Sequence, residues 1–304
     1  MGKRAFLFPG QGSQYVGMAK DVFENSAEAK EMMLMADDIL GFKLSQIMFE
    51  GPEQELKQTK YTQPAIFLHS VALANLVRTL DFQGTAGHSL GEYSALVSAN
   101  AIQFQDAIKL VSFRGSAMQE SGILSPGTMA AIIGLGDELV VEACNEASAV
   151  GIVQCANFNS PGQIVISGSV DGVRKAMELC KSKGAKMVKE LVVSGAFHSP
   201  LMDYAKDKLS SELHNYSFFD AKFPIYANVS GLPIQQKDAI KDALFQQVTA
   251  PVLWEATIKN MTADGFTEFV EIGPGKVLQG LVKRINPNAV CIGIDKFQDV
   301  DLYR

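Results

Sequence analysis

The chain has 304 residues, of which 47% are hydrophobic, and a formal net charge of −6 at pH 7. This length allows about two structural units with a sizeable core, and the negative charge argues against a nucleic-acid partner. No apolar run approaches the roughly 20 residues needed to cross a bilayer. The first apolar run, Ala5–Phe8, stops at Pro9 and is too short for a signal peptide, so we expect a cytoplasmic protein with no membrane partner.

The first predicted strand, Ala5–Phe8, leads into a glycine-rich segment that begins at Gly10. A dinucleotide-binding fingerprint requires a third glycine three residues after the second, but Tyr15 occupies that position. The segment therefore does not predict a dinucleotide site. Its glycines could equally let the backbone approach an acyl carbonyl.

The pentapeptide Gly87-His88-Ser89-Leu90-Gly91 matches G-x-S-x-G, which places a serine on a sharp turn between a strand and a helix. Small residues precede it, and residues 92–97 carry apolar or small side chains at helical spacing, as this context requires. We predict that Ser89 is a nucleophile and that the Leu90 N–H can donate to an oxyanion. The alternative is a purely structural tight turn.

A serine nucleophile needs a base, and the chain has four histidines. His69 lies in a helix that is apolar nearly all round and is predicted to be a hydrogen-bonded core residue. His88 adjoins the serine, where its backbone direction disfavours proton abstraction, and His214 lies in a polar stretch typical of a surface. His198 follows the apolar run of residues 191–193 and precedes a helix start at Ser199-Pro200. We predict that His198 is the base.

The middle of the chain predicts a separate small unit over residues 127–196. Its predicted elements are a strand at 129–133, a helix at 138–147, strands at 151–156 and 163–167 across a turn at 159–162, a helix at 173–183 and a strand at 187–193. The order strand, helix, strand, strand, helix, strand is typical of a ferredoxin-like α+β unit. We expect it to be inserted into the larger one.

The remaining segments, 1–126 and 197–304, predict one discontinuous α/β catalytic domain. Short apolar strands at 5–8, 225–229, 269–272 and 290–294 alternate with helical stretches, as in an open, mostly parallel sheet with helices on both faces. With the serine turn, this predicts an α/β-hydrolase-like fold. Because Ser89 belongs to the large domain and His198 to the return from the small one, we expect the active site in the cleft between them.

Four segments carry a family resemblance that covers essentially the whole chain. The segments are Phe8-Pro9-Gly10-Gln11-Gly12-Ser13-Gln14, Gly87-His88-Ser89-Leu90-Gly91-Glu92-Tyr93, Gly195-Ala196-Phe197-His198-Ser199 and Glu271-Ile272-Gly273-Pro274-Gly275-Lys276-Val277-Leu278. They resemble, in order, the motifs of malonyl-CoA:acyl-carrier-protein transacylases.

The resemblance implies a role for six residues. Ser89 would be the acylated nucleophile and His198 its base, Arg114 would pair with the free malonyl carboxylate, Gln11 and Leu90 would supply backbone oxyanion donors, and the Gln247 carbonyl would orient the histidine. No triad carboxylate is then expected. A guanidinium can hold a carboxylate through two parallel hydrogen bonds, which supports the role of Arg114. The alternative is a solvated or salt-bridged helix residue.

The resemblance further implies ping-pong transfer of malonyl from malonyl-CoA to the phosphopantetheine thiol of acyl carrier protein, supplying fatty acid biosynthesis. The partners would be the carrier protein and malonyl-CoA or coenzyme A, with phosphopantetheine carried by the partner and no cofactor bound. Four cysteines without metal-ligand spacing predict reduced, mostly buried thiols and no metal site. The oligomeric state leaves no visible signal, and we take the chain to be a monomer.

Three alternatives remain open. An esterase or thioesterase of α/β-hydrolase type shares the serine turn, and Asp106, Asp137 or Asp171 could complete its triad, although it has no need of Arg114. The others are a trans-acting acyltransferase of polyketide synthesis and a non-catalytic carrier-docking module. A lysine run at positions 181, 183, 186 and 189 could meet a phosphate or a carrier, but a solvated face is the preferred interpretation.

Overall fold

The computed structural model describes residues 2–303, in which ten strands form two separate sheets. The strands are β1 (Lys3–Phe8), β2 (Gly84–Gly87), β3 (Thr128–Ile133), β4 (Val153–Ser160), β5 (Gln163–Gly168), β6 (Met187–Glu190), β7 (Ile225–Tyr226), β8 (Pro233–Ile234), β9 (Phe266–Ile272) and β10 (Val290–Ile294).

The larger sheet has the order β10-β9-β1-β2-β7-β8 and is parallel except for the β7–β8 pair. Its central strand shows why helices cover both faces. Ala5 and Leu7 enter one buried cluster, whereas Phe6 and Phe8 enter another. Successive strand residues point to opposite faces, so a strand apolar at every position must be covered on both sides.

The helices surround this sheet and one face of the smaller one. They are α1 (Lys20–Asn25), α2 (Ala27–Leu40), α3 (Leu44–Glu50), α4 (Glu53–Leu56), α5 (Thr59–Leu76), α6 (Gly91–Ser98), α7 (Phe104–Leu124), α8 (Asp137–Ala147), α9 (Val170–Ser182), α10 (Asp203–Leu213), α11 (Lys237–Gln247), α12 (Trp254–Ala263), α13 (Val277–Ile285) and α14 (Phe297–Val300). Short 3₁₀ turns occupy Pro200–Met202 and Asp301–Tyr303. No helix within residues 2–303 combines the length and apolar character that a membrane span requires.

The smaller sheet is antiparallel with the order β4-β5-β3-β6, and its elements follow the predicted chain order. On one face, Ala130 and Ile132 pack with α8 and α9, while Met129 and Val165 join the large core on the other. β4 is fastened to the larger unit, since Phe158 N–H donates to Val252 O at 2.9 Å and Val252 N–H to Ala156 O at 2.8 Å. These contacts fix the two units against each other.

Several predicted boundaries are wrong by a few residues, including the starts of β9 and α9, which lie three residues earlier than predicted. β4 runs on to Ser160, so the predicted turn at 159–162 shrinks to Pro161-Gly162, because polar residues up to Ser160 still pair with β5. β6 ends at Glu190, and the apolar run that follows it is not a strand, with Val192 fully exposed. β7 ends at Tyr226 instead of residue 229.

Candidate active site

Ser89 lies on a turn between β2 and α6, as the G-x-S-x-G pattern predicts. Its φ of 50° is in the left-handed region, which costs a non-glycine residue about 1–3 kcal/mol. A Cβ on Gly87 would come within 1.9 Å of the Gly91 carbonyl carbon, and one on Gly91 within 2.1 Å of Phe8 O. Both glycines are therefore required by close backbone approach, and they hold the serine in this strained position.

Asn228 clamps the turn from the side and was missed by sequence reasoning. Its Oδ1 accepts a 2.7 Å hydrogen bond from Ser89 N–H, and its Nδ2 donates to Gly87 O at 2.6 Å. A side chain that satisfies two backbone groups of one turn stabilises that turn against relaxation. The signal available in the sequence was only an asparagine after the short strand at Ile225–Tyr226.

His198 places its ring against the serine. Nε2 lies 2.8 Å from Ser89 Oγ, and Nδ1 lies 2.8 Å from Gln247 O and 3.2 Å from Ala250 O. Because carbonyls only accept hydrogen bonds, Nδ1 must carry the proton, which leaves the Nε2 lone pair of the neutral ring facing the serine. His198 also has a left-handed φ, 56°.

Burial decides the charge of this ring. Desolvation, followed by repulsion from Arg114, lowers the pKa of His198 to about 3. The imidazole is therefore neutral and able to accept a proton throughout the neutral pH range. The backbone of His198 is held from the small unit, since Gln154 Nε2 donates to His198 O at 2.7 Å and to Thr249 O at 3.0 Å.

The other three histidines lie where the sequence placed them. His69 is fully buried in α5 and its Nε2 lies 2.8 Å from Asp295 O. His88 Nε2 contacts Asn159 Oδ1 at 2.9 Å and not the serine hydroxyl, and His214 is exposed at the end of α10. Of the four histidines, His198 is therefore the one whose ring meets the Ser89 hydroxyl, and its role as the base stays a prediction.

Arg114 on α7 is a buried cation directly beneath the nucleophile, with a relative exposure of 1%. Nη1 donates to Gln63 Oε1 at 2.7 Å, and Nη2 donates to Gln247 Oε1 at 3.0 Å and to Ser89 Oγ at 3.3 Å. These hydrogen-bond partners are neutral. The guanidinium also interacts electrostatically with Tyr93, whose ring centre lies 5.4 Å from Cζ, and with the buried Glu92. The alternative of a solvated or salt-bridged arginine is wrong, because the charge is desolvated and its hydrogen bonds go to neutral groups.

Gln247 contacts the site with its side chain as well as its backbone, which the sequence did not predict. Its carbonyl receives His198 Nδ1–H as described, while its Nε2 donates to Ser89 O at 3.0 Å and to Glu92 Oε2 at 2.9 Å. Glu92 is 1% exposed, and burial raises its pKa to about 7. One residue at the end of α11 therefore connects the histidine, the arginine and a buried carboxyl group.

Gln11 and Leu90 border the same opening as Ser89. Gln11 lies in the loop after β1, and its Nε2 donates to Thr59 Oγ1 at 3.3 Å. Leu90 is the residue before α6, so its N–H belongs to the first turn of a helix, where backbone amides lack intrahelical acceptors. Both residues line a cleft of about 1050 Å³ whose walls come from the two units.

The acids considered for a hydrolase triad lie in other elements. Asp106, Asp137 and Asp171 occupy the first turns of α7, α8 and α9, whereas His198 Nδ1 is held by carbonyls. Within residues 2–303 no three His, Cys, Asp or Glu side chains are grouped as a metal site. In the lysine run, Lys183 pairs with Glu142 and Glu146, and the other three lysines are exposed, as predicted for a solvated face.

The chain belongs to the acyl transferase family, since the family model described as acyl transferase domain matches residues 5–290. It is 45% identical to the malonyl CoA-acyl carrier protein transacylase of Bacillus subtilis (strain 168), with 99% of this chain and 96% of the relative covered. Within the acyl transferases, the chain is therefore a member of the malonyl CoA-acyl carrier protein transacylase family.

Solved structures agree over the whole length. An acyl carrier protein S-malonyltransferase from Vibrio cholerae is 42% identical with a TM-score of 0.95, and 99% of this chain and 100% of that one are covered. A malonyl-transacylase in complex with its type II PKS acyl-carrier protein is 40% identical with a TM-score of 0.95, at 99% and 98% coverage. The mixed α/β fold is therefore the one found in acyl transferases of known structure.

Proposed function

We propose that this enzyme transfers the malonyl group from malonyl-CoA to the phosphopantetheine thiol of acyl carrier protein, through a malonyl ester on Ser89. The observation that carries the proposal is the convergence of a base and a buried cation on one hydroxyl. His198 Nε2 lies 2.8 Å from Ser89 Oγ, and Arg114 Nη2 lies 3.3 Å from the same atom. A nucleophile beside an unpaired cation suits an acyl group that itself carries a carboxylate.

Arg114 would select malonyl over neutral acyl groups. Its hydrogen bonds go to neutral side chains of Gln63, Ser89 and Gln247, so a carboxylate in the cleft would give the guanidinium a charge-assisted partner. An acetyl group would leave the cation unpaired. Leaving a buried charged group unsatisfied costs about 1–3 kcal/mol or more, which corresponds to a preference of about tenfold to above a hundredfold.

In the first half-reaction, Ser89 Oγ attacks the thioester carbonyl while His198 Nε2 takes the hydroxyl proton. The backbone N–H groups of Gln11 and Leu90 would receive the oxyanion, and removal of one such donor typically costs about 10²–10³ in rate. The tetrahedral intermediate then collapses, and the leaving sulfur of coenzyme A takes the proton from His198.

The second half-reaction repeats these steps with a different nucleophile. The carrier thiol gives its proton to His198 and attacks the malonyl ester, and Ser89 Oγ recovers the proton as it leaves. Two half-reactions through one ester give ping-pong kinetics. The carbonyl groups of Gln247 and Ala250 would stabilise the imidazolium that forms twice in this cycle, in place of a triad carboxylate.

The two units of the mixed α/β fold can be assigned to particular fold classes. We assign residues 1–126 and 197–304 to an α/β-hydrolase-like catalytic domain, on the basis of the serine turn at the end of β2, and residues 127–196 to a ferredoxin-like unit, on the basis of the strand order β4-β5-β3-β6. We further propose a monomer that acts in the cytoplasm, needs no bound cofactor and supplies malonyl carrier protein to fatty acid biosynthesis.

The test is mass spectrometry of the intact protein and its peptides after brief mixing with malonyl-CoA or acetyl-CoA, followed by a chase with pantetheinylated carrier protein. We expect a malonyl group on the Ser89 peptide, weak acetylation, and loss of the adduct to the carrier. Ser89→Ala, which keeps the turn but lacks the hydroxyl, should take up no label.

Two other results would select the alternatives. Rapid loss of the adduct to water with the carrier ignored would indicate a thioesterase, and carrier binding without any adduct would indicate a docking module. A polyketide acyltransferase would give the expected adduct but would discharge it to a polyketide carrier in preference to a fatty-acid carrier.

A further inference from the structure

Glu92 is a buried carboxyl group, in the first turn of α6, that the mechanism above does not use. It lies three residues after the nucleophile and is 1% exposed. Its Oε2 accepts two hydrogen bonds, from Asn228 N–H at 3.0 Å and from Gln247 Nε2 at 2.9 Å. Burying a carboxyl group is unfavourable unless hydrogen bonds compensate for it. Two reasons can explain why Glu92 lies buried behind the site.

The first reason concerns the orientation of the Gln247 amide. An ionised carboxylate can only accept hydrogen bonds, so it admits the NH₂ end of the amide and rejects the oxygen end. With Nε2 held towards Glu92, Oε1 must point the other way, where it accepts from Arg114 Nη2 at 3.0 Å. A reversed amide would present its NH₂ group to the guanidinium, donor against donor. The neutral form of Glu92 preserves this orientation when its proton is on Oε1.

The second reason concerns the serine turn. The Asn228 backbone N–H that Glu92 accepts belongs to the residue whose side chain holds Ser89 N–H and Gly87 O. Glu92 is therefore linked by hydrogen bonds through Asn228 to Ser89, and through Gln247 to Arg114. Both connections start from the same carboxylate oxygen.

We propose that Glu92 is a positioning residue, whose Oε2 fixes the Gln247 amide so that Arg114 is aimed at the substrate carboxylate, and fixes Asn228 so that the strained Ser89 turn is held. This inference rests on the proposed malonyl transfer and adds a determinant of its specificity. Glu92 would contact neither the substrate nor the reacting atoms.

The experiment compares Glu92→Met with Glu92→Gln. Both variants lack the charge and have similar length, but only glutamine retains an oxygen that can accept from Asn228 and Gln247. For each protein, Ser89 acylation by malonyl-CoA and by acetyl-CoA is timed on the same sample, and the ratio of the two rate constants is the readout. Because an inactive fraction lowers the amplitude of both reactions and changes neither rate constant, the ratio is insensitive to partial misfolding.

We expect the ratio in Glu92→Met to fall by roughly tenfold, the typical effect of losing a hydrogen bond to a charged group, and glutamine to restore most of it. Asn228→Ala should slow both donors, because it loosens the turn. It should change the ratio less than Glu92→Met does, because it removes only the long 3.4 Å hydrogen bond from Gln247 Nε2 to Asn228 Oδ1 and leaves the 2.9 Å one to Glu92 in place. Asp37→Asn is the matched control. Asp37 is a buried acid on α2 that accepts two hydrogen bonds from Ser45, and its neutralisation should leave the ratio unchanged.

Gln247→Met tests the same link if Glu92→Met fails to fold, since it removes the amide and keeps the backbone carbonyl that holds His198. An unchanged ratio in Glu92→Met, or in Gln247→Met where that variant stands in for it, overturns the inference. So does an equal fall of the ratio in the methionine and glutamine variants, because charge would then be the cause. If the wild-type enzyme takes up no malonyl group on Ser89, the proposed function fails as well, whereas a wild-type adduct limits the failure to Glu92.

Discussion

His69 and His198 are alike in every respect that usually draws attention to a histidine. Both are buried, both contact a backbone carbonyl with one ring nitrogen at 2.8 Å, and burial lowers the pKa of both. They differ in what the second nitrogen faces. His198 Nε2 faces a serine hydroxyl at the edge of a cleft. His69 Nδ1, on α5, is buried in the protein interior with no hydrogen-bond partner among the described residues.

The comparison teaches that a shifted pKa does not by itself identify a functional histidine. Burial lowers the pKa of any imidazole, because the charged form loses its hydration. Function requires in addition that the free nitrogen meets a group with a proton to give, at a place that a substrate can reach. The two rings share the lowered pKa and differ in what the free nitrogen meets.

The largest effect should come from His198→Ala. Loss of a general base typically lowers a rate by about 10²–10⁴-fold, and no second base contacts Ser89 Oγ among the described residues. Rapid-quench measurement of Ser89 malonylation checks this. His69→Gln is the matched control, since glutamine can still donate to Asp295 O. A similar fall in both variants would mean that the two histidines share a structural role.

Arg114→Met should have the next largest effect, and it should be selective. Methionine fills the buried volume but cannot pair with a carboxylate, so malonyl-CoA should lose about tenfold to a hundredfold in acylation rate while acetyl-CoA loses little. The ratio of the two rates, measured on one sample, checks this prediction. An equal loss for both donors would show that Arg114 supports the structure of the site and does not recognise the substrate.

Much of this site could be predicted, because several of its residues lie in short, contiguous sequence motifs. Ser89 and its two glycines form a contiguous turn, and His198 was found by excluding three histidines whose neighbours are apolar or polar throughout. Asn228, Gln154 and the side chain of Gln247 could not be found in this way. Each acts across more than forty positions of sequence, and only the tertiary packing of the chain brings them to the site.

The strand boundaries failed for a related reason. Asn159 and Ser160 were predicted to lie in a turn, but in the fold they continue β4 beside β5. The same strand forms a bridge from Asn157 to Val252 of the large unit. Conversely, Leu191, Val192 and Val193 were predicted to form a strand because all three are apolar and the two valines are β-branched. They line the cleft instead, after β6 has ended, so their apolar side chains form part of its wall and not of a sheet.

A smaller effect is expected from Gln154→Leu, which tests whether the small unit helps to position the base. The Gln154 side-chain amide connects β4 to His198 O and Thr249 O, and His198 needs support for its left-handed backbone. Both donors should slow together by about tenfold or less, as expected for one lost hydrogen bond, with the malonyl-to-acetyl ratio unchanged. A change of that ratio would place Gln154 in substrate recognition.

The last prediction concerns stability at acid pH, and the variant that tests it should have the smallest effect on catalysis. It compares the two buried histidines most directly. A histidine whose folded-state pKa lies below its unfolded value of 6.5 binds fewer protons in the folded state. Its contribution is complete above pH 6.5 and is lost as the pH falls, by at most about 1.4 kcal/mol per pH unit for each ring. His69→Gln removes one of these rings. Its urea midpoint should therefore decline less steeply than that of the wild type between pH 6.5 and 5. Parallel curves for the two proteins would mean that His69 is protonated as readily in the folded chain as in the unfolded one, and that its burial has no consequence for its charge.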